Sequence, residues 1–213
     1  MPDLFYSFAL TLPEQIALLR KDILKYAVKV GYKKKILPIV YGTEKNVNNN
    51  ILIVQPPFND GRNDERNENK KIKILNKHFE EDECTYLCQI LQEYEIYNYF
   101  ITYAHLLPLE RHTKNGIKDF GCWITKLVDI LGSKLVVVLG EDAQLSFLKR
   151  KCILKDFHGK KIGEYNGAPL LLTYPFSYYL NRSSYEDKNY KEFILKTDWA
   201  MIQDAYKRKI KCQ

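Results

Sequence analysis

The sequence predicts an α/β protein: a three-layer sandwich whose central, mainly parallel four-stranded sheet is flanked by helices, in one domain over residues 1–213. Three observations lead there. Short apolar runs alternate along the chain with segments whose apolar residues recur every three to four positions. The runs are apolar at almost every residue, as strands covered on both faces must be. The chain is 46% hydrophobic over 213 residues, enough to bury one sizeable core.

The elements follow in order. Residues 13–30 place Ile16, Leu19, Ile23, Leu24, Ala27 and Val30 at helical spacing, with Pro13 and Glu14 suited to a first turn. Lys33 to Lys35, then Ile39 to Gly42 and an Asn-rich turn at 46–50, lead to the first buried strand, Ile51 to Val54. It ends in QPPFNDGRNDERNENK, where two prolines, Gly61 and dense charge predict a loop. A helix over 80–95 precedes a second strand within YNYFITYAHLLP (97–108), and a helix over 117–131 precedes a third, LVVVLG (135–140). A further helix is expected from Gly140–Glu141, then a basic turn around Lys160 and Lys161. The fourth strand, PLLLTY (169–174), is followed by PFSYYLNRSSYED and a last helix over about 188–208.

In such a sheet the ligand crevice lies beyond the carboxyl ends of the strands. The loops Gln55–Lys70, His105–Asn115 and Pro175–Tyr185 should therefore converge there. The formal charge of +7 favours a polyanionic partner, nucleic acid or an anionic membrane surface. No apolar run approaches the ~20 residues of a membrane span. The first residues carry Asp3 and no basic stretch, so a secretory leader is not expected and the predicted location is cytoplasmic. Cysteines 84, 88, 122, 152 and 212 form no CxxC pair and suit reduced thiols. Cys84 and Cys88 share a helical face but lack further ligands at matching spacing, so neither a metal nor another cofactor is expected. A phosphate loop of the GxxxxGK[ST] kind and a GxSxG elbow are both missing from the sequence, which counts against a nucleotide or small-molecule hydrolase.

Several segments in order resemble the iron–sulfur branch of the uracil-DNA glycosylase superfamily. VYGTEKNVNNNILIVQPP is similar to the lead-in to that branch's GEAPG motif, and FITYAHLLP to its ITNVVKCRPP strand. The stretch from Cys122 to LVVVLGEDAQ is similar to the helix and strand ending in VALG-x-x-A. TYPFSYYLNR resembles the second active-site motif, TYHPSYLLR, and the likeness spans roughly residues 13–205. It implies a glycosylase-like sandwich that binds DNA and flips a nucleotide from the stack.

The departures fall on the residues that read and excise uracil. The acidic residue of GEAPG becomes Gln55; set against the other main branch's GQDPYH, the catalytic aspartate becomes Pro56. The histidine of the second motif falls at Pro175, and the asparagine that reads uracil falls at Tyr103. A phenol does not reproduce an amide's paired donor and acceptor. Positions of the cluster cysteines fall at Ala27, Val30 and Leu106 or Leu107, with Cys122 near the fourth; one thiolate does not hold a four-iron cluster.

The candidate catalytic residues are then Asp60, Asn59 and Gln55, which supply a displaced carboxylate or an amide to position water. Phe58, Tyr103 and His105 are the candidates for the base pocket, two rings for stacking and an imidazole for a leaving group, with His112 nearby. Ser177, Tyr178, Tyr179, Asn181 and Arg182, with Lys160 and Lys161, are the candidates for DNA contact, combining hydroxyl, wedge and cations. The expected activity is hydrolysis of the N-glycosidic bond of a non-uracil base, such as a bulky modified pyrimidine of the kind found in some phage genomes. The alternative is a catalytically inactive DNA-binding or assembly subunit of the same fold. DNA, double- or single-stranded, is the expected partner, with no membrane, and the chain is expected to act as a monomer.

Overall fold

The computed structural model describes residues 10–32, 41–42, 50–57, 81–107, 113–148, 151–180 and 188–211. Helix α1 (Leu12–Lys29) opens where Glu14 reaches back to accept from the Thr11 N–H at 2.7 Å and from its hydroxyl at 2.8 Å. Strands β1 (Tyr41–Gly42) and β2 (Ile51–Gln55), helix α2 (Glu81–Glu93) and strand β3 (Tyr99–Tyr103) follow. Helix α3 (Lys114–Leu131) is capped by the Thr113 hydroxyl, which accepts from the Gly116 N–H at 3.0 Å, and leads to β4 (Leu135–Leu139).

Beyond β4 lie a single-turn helix, α4 (Gly140–Ala143), a 3₁₀ turn (Gln144–Ser146) and another short helix, α5 (Leu154–Phe157). The longer helix expected from Gly140 does not form. The buried Gln144 amide instead ties the chain to its return, accepting from the Cys152 N–H at 2.6 Å and donating to the Cys152 carbonyl at 2.9 Å. Strands β5 (Lys160–Tyr165) and β6 (Ala168–Thr173), a short helix α6 (Phe176–Leu180) and α7 (Lys188–Tyr206), continued by a π-helical turn (Lys207–Lys211), complete the described chain. Residues 176–180, expected within a loop, form α6 because Phe176 is anchored in the core, stacked on Trp199 at 5.9 Å between ring centroids.

Among the described residues one sheet holds six strands in the order β1-β3-β2-β4-β6-β5, β1 being only two residues long. The four strands expected from the sequence are its centre: β3, β2, β4 and β6 run parallel. The four-stranded expectation is corrected at both edges, where β1 and β5 pair antiparallel with β3 and β6. Lys160 and Lys161, expected in a turn, begin β5. The hairpin that brings β5 back is closed by Asn166 and Gly167 at φ 47° and 80°, the left-handed pair that a two-residue turn requires.

Alternate residues of the parallel strands feed two cores. Leu52, Val54, Val136, Val138, Leu170 and Leu172 pack with α1 and α3. Ile51, Ile53, Leu135, Val137 and Leu171 pack with α2 and α7. Helices thus cover both faces, and the two-sided apolar character of the strands has its cause. The chain leaves β2 towards β3 on one side, and β4 towards β6 on the other. The carboxyl ends of β2 and β4 therefore flank the switch point where such sheets hold ligands.

Candidate functional site

Gln55 ends β2 at this switch point. Its carbonyl accepts from the Ala104 N–H at 2.8 Å, which joins the ends of β2 and β3. The side chain is 5% exposed, and its Nε2 finds no hydrogen-bond partner among the described residues. An unpaired buried amide costs about 1–3 kcal/mol, so folded proteins rarely keep one without a use.

Gly140 follows the last residue of β4 and turns the chain into α4 at φ 81°. A Cβ on it would lie 3.3 Å from the Pro175 ring, so the absence of a side chain lets the segment after β6 close over the end of β4. Of the three loops expected to converge, the one that begins at Pro175 thus meets the end of β4 through backbone and ring alone.

The segment after β6 presents an aromatic group. Tyr174 and Tyr178 stack at 4.2 Å, and Tyr179 meets both rings edge-on at 6.3 and 5.3 Å. The buried Lys191 of α7 donates to the Tyr178 carbonyl at 3.0 Å, with its ammonium 4.9 Å from the centre of the Tyr178 ring. Burial pushes the Tyr179 phenol well above its ordinary range, and the Thr173 hydroxyl 3.5 Å away works against that shift. Tyr179 therefore stays neutral and acts as packing and hydrogen-bonding surface.

Beside this group lies a pair absent from the sequence expectations. Asp198 of α7 is fully buried. The Thr173 hydroxyl donates to its Oδ2 at 2.6 Å, and His158 Nδ1 stands 2.8 Å from its Oδ1. Burial raises the Asp198 carboxyl above the usual carboxylate range, while the hydrogen bonds from Thr173 and His158 and the histidine's charge oppose it. A carboxylate only accepts, so the pairing assigns the His158 proton to Nδ1 and leaves Nε2 as the open nitrogen. His158 is half-buried, with its ring centroid 5.3 Å from that of Tyr174. The Gly159 N–H donates to the Leu172 carbonyl at 2.7 Å and Lys160 pairs with Leu172. His158 is thus level with the end of β6, on the crevice end of the sheet.

The other expected site residues divide. Tyr103 is 5% exposed and belongs to the core beneath α1 and α3. His105 is 2% exposed, with its ring 4.4 Å from Phe120 and its Nδ1 3.2 Å from the Leu107 carbonyl. Both fill the core rather than line an open pocket. Ser177 is exposed on α6. Lys160 donates to the Asp156 carbonyl at 2.8 Å, and Lys161 pairs with Glu164 at 2.6 Å; both are exposed at the crevice end of β5. Phe58, Asn59, Asp60, His112, Asn181 and Arg182 lie outside the described residues.

The missed pair had a legible signal in one partner only. Asp198 occupies the apolar stripe of α7 between Ile194, Leu195, Trp199 and Ile202, where a carboxylate is out of place unless something buried meets it. His158 sits 40 residues earlier in DFHGKK, where the sequence expectations took up only Lys160 and Lys161, and nothing local links it to Asp198.

No protein-family model matches this chain, and no curated protein matches it.

Proposed function

We propose that the chain is a DNA glycosylase-like protein with the uracil-DNA glycosylase type of sandwich. In this reading it binds DNA in the crevice beyond β2 and β4 and flips a nucleotide. It then hydrolyses the N-glycosidic bond of a non-uracil, modified base to leave an abasic site. The observation that carries the reading is the buried amide of Gln55 at the switch point, whose Nε2 has no hydrogen-bond partner among the described residues. A carboxamide offers one donor and one acceptor side by side, which is the pattern that reads a base edge. The stacked Tyr174 and Tyr178 beside the same strand ends, and the net charge of +7, suit a nucleic acid lying over them.

A second reading, a glycosylase-fold DNA-binding or assembly subunit without chemistry, is favoured by one specific observation. Tyr103 and His105, candidates for the base pocket, are core residues.

A nicking assay separates the two. DNA from phages with plain and with modified cytosines or thymines is incubated with the protein, then treated with an abasic endonuclease. Breakage of a modified genome, but not of plain or uracil-containing DNA, is the result expected. Binding without breakage on any substrate would support the subunit. Binding should weaken with salt, each phosphate contact adding about 0.9 to the log–log slope. Failure to bind DNA even at low salt would remove both readings.

A further inference from the structure

We propose that His158 is the proton donor to the departing base, and that Asp198 is its positioning residue. The inference rests on the glycosylase reading and adds a residue to it. Three features of the pair distinguish it from a surface ion pair. Asp198 is fully buried and held from two sides, by Thr173 at 2.6 Å and His158 at 2.8 Å, so the ring is fixed by a rigid partner. Nδ1 is consumed by that contact, and Nε2 has no hydrogen bond among the described residues. Gly159 supplies the third feature. A Cβ there would stand 2.7 Å from Asp198 Oδ1, so the chain approaches the carboxylate more closely than a side chain at this position permits. The pair is built, and its imidazole lies 5.3 Å from the Tyr174 ring, next in sequence to the Pro175 that packs on Gly140.

A buried carboxylate behind a histidine does two things. It selects the tautomer with the distal nitrogen open, and it stabilises the imidazolium when that nitrogen is protonated. In the step proposed, the bond between C1′ of the deoxyribose and the base nitrogen breaks, and its electron pair leaves with the base. Nε2, having first taken a proton from solvent to form the imidazolium, passes that proton to the base. Water adds its hydroxyl to C1′, and the remaining proton of that water returns to Nε2. The products are the neutral free base and an abasic sugar, with His158 restored. No other reactant is needed.

The test uses the full chain and the modified genome that breaks in the nicking assay, with single-turnover base release as the readout. His158→Asn keeps an N–H at the Nδ1 position to donate to Asp198 and removes Nε2. It should fold as the wild type does and bind a duplex carrying a tetrahydrofuran abasic site with unchanged affinity. Base release should fall by about 100-fold or more, the range of general acid–base catalysis. His158→Ala should show the same loss and recover part of it when imidazole is added, which a merely structural role would not do. Wild-type release together with undiminished release by His158→Asn would overturn this inference and leave the glycosylase reading standing. Loss in His158→Ala that imidazole does not restore, alongside an active His158→Asn, would also overturn it. No release by the wild type on any genome would overturn the glycosylase reading, and this inference with it.

Discussion

Gly159→Ala asks how firmly the buried carboxylate at the crevice is held. Gly159 has φ 68°, and the new Cβ would stand 2.7 Å from Asp198 Oδ1. Two costs add. An L-residue in the left-handed region loses roughly 1–2 kcal/mol. The methyl group also displaces an oxygen that His158 holds at 2.8 Å, on a carboxylate with no solvent exposure to compensate the loss. A hydrogen bond to a charged group contributes about 1.5–3 kcal/mol, so the expected total is about 2.5–5 kcal/mol. Urea unfolding followed by tryptophan fluorescence, with linear extrapolation, measures it; the buried Trp199 neighbours Asp198 on α7. The same substitution in an Asp198→Ala background should cost only the backbone part, roughly 1–2 kcal/mol. Equal costs in the two backgrounds, or a single-variant loss under about 1 kcal/mol, would refute the steric coupling.

Two glutamines should behave oppositely. Gln144→Leu strands the N–H and carbonyl of the half-buried Cys152 and should lose about 2–6 kcal/mol, since each unpaired group costs about 1–3. Gln55→Leu removes an amide nitrogen without a partner among the described residues, so thermal unfolding should show no loss of stability, while base release should fall. Stability should also depend on pH through Asp198. Burial raises its folded-state value above the ordinary one, so between the two values the folded protein binds the extra proton. Stability should therefore decline as pH rises through that window, and Asp198→Asn should remove this decline from a series of melting curves. An unchanged slope in the variant would assign the effect to other groups.

The legible part of the fold was the part that is apolar along the chain. Leu135 to Leu139 and Ile51 to Val54 are covered on both faces, so burial is written at every residue. β5 was missed for the converse reason: of its six residues only Ile162, Gly163 and Tyr165 are even partly buried, and Lys160, Lys161 and Glu164 face solvent. An edge strand with one solvated side reads locally as a polar turn. The Asn166–Gly167 pair was the available clue, since that dipeptide favours a hairpin whatever the polarity of its arms. The helix expected after Gly140 failed because Gln144 is bound to Cys152, a contact eight residues away that no helical period announces. Candidate residues on the strands were found at the right end of the sheet, but the direction of their side chains was not legible. Tyr103 and His105 turn into the core against Phe120 and its neighbours.

Composition and periodicity alone determined the class of this protein, its four parallel strands, and the end of the sheet on which to look. Those properties follow from how much apolar surface each segment must hide, which is local information. Tertiary structure decided which polar groups meet at that end. His158 on the approach to β5, Thr173 at the end of β6 and Asp198 on α7 are brought together by strand pairing and by α7 packing across the sheet. A hydrogen bond requires atoms within about 3 Å, and only the packed chain sets distances on that scale between residues far apart in sequence.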